Sequence, residues 1–239
     1  MDTPAKVAAP RRRAESLFFA VMVVWMMVIV FIGFAHTYYL AGLFRARLPS
    51  PIVHIHAVLF TSWWLILVLQ VVLIATGNRP WHIRLGSVGM AVAPAMIVSG
   101  LLTLAAAVRR HAEMDMPPEV LLEVDVLQLL GFGILILWAY LVRTNGAAHK
   151  RLVLLASAAL LGPALSRWPY ESITGSDWTF YLVLDSVPIC LIVFDLISRR
   201  RPHSVTLLGS GILVLLQYLM STSAHWPIWH ELTAWIQRF

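Results

Sequence analysis

Apolar residues in this chain come in long uninterrupted runs, not in the two-residue alternation of a strand or the one-sided stripe of a soluble helix. Seven runs stand out: Leu17–Leu40, Pro51–Ala75, Leu85–Val108, Val120–Val142, Leu152–Leu165, Trp178–Ile197 and Val205–Met220. A helix needs about 20 apolar residues to cross the ~30 Å hydrocarbon layer of a bilayer. The fifth run is short before it meets Ser166 and Arg167. It is retained because six spans would break the charge pattern described below. Turn signals part the runs at Leu48-Pro49-Ser50-Pro51, Gly77-Asn78-Arg79-Pro80, Met116-Pro117-Pro118, Asn145-Gly146 and Arg201-Pro202. Ser50 before Pro51 makes an N-cap and first-turn pair for the second helix. The pattern predicts an all-α polytopic bundle: a basic tail over 1–15, seven transmembrane helices over 16–222, and a separate segment over 223–239.

That last segment reads differently. Trp229, Leu232, Trp235, Ile236 and Phe239 recur at helical spacing, with His230, Gln237 and Arg238 opposite. The expectation is an amphipathic helix lying in the headgroup layer as an anchor.

Composition sharpens the class. The 239 residues are 59% hydrophobic and 13% charged, against roughly 45–50% and 25% for a soluble domain. A soluble globule would lack the charges to cover itself, whereas lipid solvates apolar surface. One cysteine, Cys190, forbids an intrachain disulfide and a multi-cysteine zinc site. The net charge of +6 is spread between apolar runs and not gathered on one face, so nucleic acid is not an expected partner. With the N-terminus inside, twelve Lys and Arg fall inside and six outside, which follows the positive-inside rule and puts the C-terminus outside. The first run is longer than a signal peptide's apolar region and ends in no small-x-small site, so it is expected to stay as an anchor. The expected location is the bacterial inner (plasma) membrane, with the lipid bilayer as partner.

A weak repeat runs through the inner loops. Trp81-His82-Ile83-Arg84-Leu85 leads into the third helix and Ala148-His149-Lys150-Arg151-Leu152 into the fifth. Each follows a Thr/Gly/Asn turn and precedes a mid-helix proline, Pro94 or Pro163, and Arg201-Pro202-His203-Ser204 is a degenerate third copy. The reading is one leading helix followed by three parallel hairpins. The loop histidines sit at helix starts, where the dipole favours neutral imidazole. Beside arginine they suit lipid phosphate or loop-fixing hydrogen bonds, a structural role being the stronger expectation than a catalytic one.

His56, Gln70, His82-Ile83-Arg84-Leu85-Gly86, His149-Lys150-Arg151 and Arg167 together resemble an uncharacterised bacterial family of multi-pass membrane proteins, a domain of unknown function. The likeness covers roughly residues 50–170. It implies a helical membrane core and no activity.

Ionisable groups within spans are costly, so each is a functional candidate with a partner to be named. Asp195, four residues before Arg199, is expected to pair with it. The other candidates lie toward the outer side. His36 is followed by Tyr38 and Tyr39. His54 and His56 point to nearly opposite sides of one helix, with His56 inward on a stripe through Phe60, Trp63, Leu67 and Gln70. Asp125 and Gln128 share a face from which Glu123 turns away. Asp177, Tyr181 and Asp185 follow at i, i+4 and i+8, and Arg167 closes the fifth run.

The expectation is therefore an outward-facing polar cavity built by His36, His56, Asp125, Arg167 and Asp185. It would bind a cofactor, metal or small ligand, or contact a partner membrane protein. Three chemistries fit. His36, His56, Asp125 and Asp185 could hold a divalent metal such as zinc, which with an open position gives a metal-dependent membrane hydrolase. His36 and His56 could be axial ligands of haem b in a redox or cofactor-handling role. The carboxylates, histidines and arginine could instead form the relay of a proton-coupled transporter or channel. An internal salt bridge from Arg167 to Asp125 or Asp185 would account for the same residues with no ligand. No His-Glu-x-x-His, Gly-x-Ser-x-Gly or phosphate-cradling glycine loop is present. Neither of the last two runs carries the lysine that a retinal Schiff base needs. Gly131-Phe132-Gly133 and Gly209-Ser210-Gly211 read as close helix contacts, and Trp63, Trp64, Trp138 and Trp178 as packing and belt residues.

Overall fold

A computed structural model describes residues 4–44, 50–110 and 116–238. The turn residues Leu48 and Pro49, the charged positions Arg45, Arg47, Glu113 and Asp115, and Phe239 lie outside the described residues. Twelve α-helices are described: α1 Pro4–Phe34, α2 Ala41–Phe44, α3 Pro51–Ala75, α4 Arg79–Arg110, α5 Pro118–Leu141, α6 Gly146–Ala158, α7 Gly162–Leu165, α8 Glu171–Thr174, α9 Asp177–Leu184, α10 Ser186–Arg199, α11 Ser204–Thr222 and α12 Pro227–Gln237. A π-helical turn, Ala35–Tyr39, follows α1. There is no strand among the described residues. Because α1 begins at Pro4, most of the expected tail extends the first helix.

Five helical stretches are long and apolar enough to cross a membrane, and α9 with α10 makes a sixth if a pair bent by 52° counts as one span. The bend falls at Asp185 and has a local cause. Pro188 has no N–H for the Leu184 carbonyl, and its ring crowds that carbonyl. Pro163 acts alike on Ala159, where α6 gives way to a turn before α7. Pro94 sits inside an unbroken α4. The uninterrupted helix expected over Trp178–Ile197 is thus two pieces, and the short fifth run is α6 plus α7.

The short run stays short because α6 is central. Leu152, Leu154, Leu155, Ala156 and Ser157 are all buried, so this helix is covered nearly all round. Met26 and Ile29 of α1, Trp63 of α3, Met96 of α4, Phe132 and Leu135 of α5 and Leu191 of α10 complete the core with it. Three tryptophans bind the layers through their N–H groups. Trp25 donates to the Ser186 hydroxyl at 2.8 Å, Trp63 to the Ser157 hydroxyl at 3.1 Å, and Trp168 to the Ile29 carbonyl at 3.0 Å. Around the outside, α3 and α11 expose Ile55, Val58, Leu65, Leu69, Leu208 and Leu215. That belt is the surface lipid would solvate.

The α6–α7 segment runs beside α1. Lys150 meets Glu15 at 2.6 Å near one end, and Gly33 packs on the Ala164 backbone at the other. From Glu15 to Gly33, α1 rises about 27 Å. Expected close contacts hold at Gly131 and Gly209, where an added Cβ would come within 2.7 Å of Leu216 and Leu155 respectively. Gly211 faces open space.

α12 packs on α4 and α5. Trp229 is buried with Leu104, Val108 and Leu122, and Arg109 donates to the Ile236 carbonyl at 3.3 Å. Trp235 is exposed. The apolar stripe of the last segment is therefore split between protein contact and outer surface.

The charged centre of the bundle lies elsewhere than the sequence suggests. Asp195 does not pair with Arg199; it faces Arg151, and both side chains are completely buried. The Arg151 guanidinium donates to both Asp195 oxygens and to the Ala147 carbonyl. Asp195 also accepts from the Thr206 hydroxyl at 2.7 Å and the His203 backbone N–H at 3.0 Å. Three further polar groups thus help satisfy one carboxylate and one guanidinium, which is what a buried pair requires. Arg84, the matching arginine of the other loop copy, is exposed over Trp81. The two halves of the repeat do different work.

His203 adds a pH response. Its Nδ1 accepts from the Val205 N–H at 3.2 Å and caps α11. Burial, with the charges of Arg151 and Arg199, pushes its pKa below the ordinary 6.5, against the pull of Asp195. The unfolded chain therefore takes a proton at higher pH than the folded one. The stabilisation is complete above about 6.5 and is lost as pH falls toward the depressed folded value. We expect the unfolding midpoint to drop between pH 7 and 5.5, and to drop less in His203→Asn, which keeps a capping oxygen. A His203→Asn profile parallel to wild type would assign the drop to other groups.

Candidate functional site

The end of the bundle where α3 and α5 begin gathers polar side chains from four elements. His56 sits in the second turn of α3, half-buried, with its ring 4.1 Å from that of Phe60 and facing the Ser99 backbone of α4. Its Nδ1 is buried and has no hydrogen-bond partner among the described residues. As expected from helical geometry, His54 points elsewhere: it is exposed and meets the Tyr38 hydroxyl at 3.1 Å. The Tyr39 hydroxyl bonds that of Thr61 at 3.0 Å, so the π-helical turn is fastened to α3 by two tyrosines.

Asp125 lies half-buried on α5, and the charge facing it is Arg167, just beyond α7. Arg167 is exposed at the rim. Its guanidinium donates to the Pro163 carbonyl, lies 5.2 Å over the Phe34 ring, and is within electrostatic range of both Asp125 and His56. Gln128, one turn below Asp125, is buried, and its Oε1 has no partner among the described residues. It packs on Gly162, where an added Cβ would lie 2.7 Å from Oε1. The break between α6 and α7 thus makes room for Gln128 and aims Arg167 back over the site.

Of the five expected site residues, Arg167 lies within electrostatic range of His56 and Asp125, while His36 and Asp185 meet other partners. His36 lies on the π-helical turn, exposed, with its ring 4.1 Å from that of Phe44. Asp185, at the bend before α10, accepts from the Gln217 side chain of α11 at 2.8 Å. Among the described residues no group of three or more His, Cys, Asp or Glu is placed to hold a metal ion. His36, His56, Asp125 and Asp185 therefore do not form the expected ligand set. The turn carries His36 outward, and the kink at Pro188 gives Asp185 to α11. The two histidines proposed as axial ligands likewise meet different partners.

Sequence reasoning missed the partners of two buried acids. Glu123 does turn away from Asp125, but into protein: it is completely buried, accepts from the Ser223 hydroxyl, and leaves Oε2 without a described partner. No local spacing announces a contact one hundred residues away. Arg151–Asp195 had one signal, an acid inside an apolar run, which the nearer Arg199 obscured. At the start of α6, His149 fixes its own loop by bonding the Ala139 carbonyl at 2.9 Å. His82 lies within electrostatic range of His149, so the repeat brings its histidines together.

No family model, curated protein or solved structure matches this chain.

Proposed function

We propose that this chain is a seven-crossing protein of a bacterial plasma membrane, N-terminus in and C-terminus out, that binds a small polar ligand at His56, Asp125 and Arg167 in its outer half. The α6–α7 segment is the seventh crossing, supported by its passage beside about 27 Å of α1. α12 lies at the outer surface and presents Trp235 to the headgroups. Membership of the family that the loop motif resembles would add no activity to this reading.

The observation that carries the proposal is unspent hydrogen-bonding capacity beside matched charge. Buried polar atoms in folded proteins nearly always have partners, yet His56 Nδ1 and Gln128 Oε1 have none among the described residues. They flank an Asp125–Arg167 pair whose charges sum to zero. Such a site suits a small neutral or zwitterionic molecule that offers both a donor and an acceptor. Binding is favoured over proton-coupled transport because Arg151 and Asp195, the buried charged pair toward the opposite end of the bundle, have their valences used inside the protein and offer no relay.

The test is thermal unfolding of detergent-purified protein, followed by tryptophan fluorescence, with millimolar glycine, acetate or acetamide. At least one of the three raises the wild-type midpoint, and Arg167→Gln and Asp125→Asn abolish the rise; His56→Gln substitutes for either variant if it does not fold. Three compounds that leave wild type and variants alike would refute the proposal.

A further inference from the structure

A second polar site lies at the other end of the bundle. A cavity of about 590 Å³ opens where the start of α6 meets the end of α10, beside α1, with Glu15, Gly146, Lys150, Phe194, Ser198 and Arg199 among its walls. Its charges are unequal. Lys150 holds Glu15 at 2.6 Å, and Arg151 beneath it is matched by Asp195. Arg199 is half-buried and makes no hydrogen bond or ion pair with a described residue, so one positive charge is left over.

The neutral groups point the same way. The Ser198 hydroxyl oxygen is buried, lines the cavity and has no partner among the described residues. At the start of α6, the Asn145 side chain caps the Ala148 N–H at 3.2 Å, and the N–H groups of Gly146 and Ala147 have no acceptor among the described residues. A Cβ on Gly146 would meet open space, so nothing screens that first turn. Backbone donors at a helix start, a spare arginine and a buried hydroxyl are the donor set that recognises a tetrahedral oxyanion.

We propose that this cavity binds a phosphate anion between Arg199, Ser198 and the first turn of α6. The phosphate comes from an anionic lipid headgroup or from solution. Exposed Leu17 and Ile197 are sequence neighbours of the wall and would receive acyl chains in the first case. The proposal is independent of the ligand site at the opposite end.

Two arms on the full chain distinguish the sources. In one, the unfolding midpoint is followed in sodium phosphate against sodium chloride of equal ionic strength. In the other, native mass spectrometry compares retention of phosphatidylglycerol with phosphatidylcholine. The expected result is a response in at least one arm that Arg199→Gln weakens by roughly 10-fold or more. Ser198→Ala, a smaller change that serves if the arginine variant does not fold, weakens it roughly 5-fold. Arg84→Gln, at an exposed arginine of the other basic loop, leaves it unchanged. The arm that responds names the source. No preference in either arm, or equal losses in Arg199→Gln and Arg84→Gln, overturns the proposal.

Discussion

Asp195→Asn is expected to cost about 3–5 kcal/mol of stability, because it removes the hydrogen-bonded countercharge of the buried Arg151 guanidinium and leaves it only Glu15, 3.8 Å away and already held by Lys150. Arg151 is completely buried, and all its donors but those to Ala147 are aimed at the Asp195 carboxylate. The amide could still accept from Thr206 and the His203 N–H, so the loss isolates the charge and not the shape. Arg151→Met is expected to be comparably harmful from the other side, since Asp195 would keep two neutral donors and no cation. The decisive variant is the double one, Arg151→Met with Asp195→Leu. Removing both charges leaves only the Thr206 hydroxyl and the His203 N–H unpaired, at about 1–3 kcal/mol. It should therefore be more stable than either single variant. Denaturant unfolding in detergent gives all four values. A single Asp195→Asn within about 1 kcal/mol of wild type would mean that water reaches the pair. The same pair ties α6 to α10 and α11, so its loss should also lower the fraction of protein recovered folded.

How much of this could be read beforehand depended on the range of the interaction. Run length and turn chemistry mark the long helices well: Ser50-Pro51 opens α3, Pro117-Pro118 opens α5, and Asn145 caps α6. Periodicity also separates His54 from His56, because that is a property of one helix. It fails where a proline redirects the chain. Asp177, Tyr181 and Asp185 keep their stripe on α9, but Pro188 bends the chain just beyond it, where Asp185 meets Gln217. It fails again at Ala35–Tyr39, where a π-helical turn carries His36 away from the face that a regular helix would give it. Pairings between distant segments were out of reach altogether. Asp195 has an arginine four residues away and another forty-four away, and only packing decides for the second. Of the expected site, His56 and Asp125 lie on helices whose inward face the pattern identifies, whereas Arg167 lies in the turn after α7, within electrostatic range of both. Gln128 shares a face with Asp125 by helical spacing, but its seat on Gly162 depends on the α6–α7 break.

Gly33→Val is expected to separate α1 from α7. A Cβ at Gly33 would stand 2.0 Å from the Ala164 carbonyl oxygen and 2.6 Å from its carbon. These are backbone atoms, which cannot swing aside as a side chain would, so the helices themselves must move. Overpacking ordinarily costs about 1–3 kcal/mol, and a collision with backbone belongs at the upper end or beyond. Even Gly33→Ala should lower the unfolding midpoint, although alanine favours helix. Gly211→Ala is the control. It sits in α11 with nothing within 4 Å of the new methyl, and the same propensity should leave that variant as stable as wild type or more so. The displacement also has a local reporter, because Trp168 donates to the Ile29 carbonyl across the same contact and should change its emission when the contact opens. The functional consequence follows from the chain path. Ala164 is next to Pro163, whose carbonyl holds the Arg167 guanidinium, and Phe34, next to Gly33, lies beneath that guanidinium. Moving α7 by the width of a methyl group therefore moves Arg167 relative to Asp125 and His56. A Gly33→Ala protein that remains folded should lose any ligand-induced rise in midpoint, while Gly211→Ala keeps it. If both variants bind alike, the α1–α7 contact supports the fold without setting the position of the arginine.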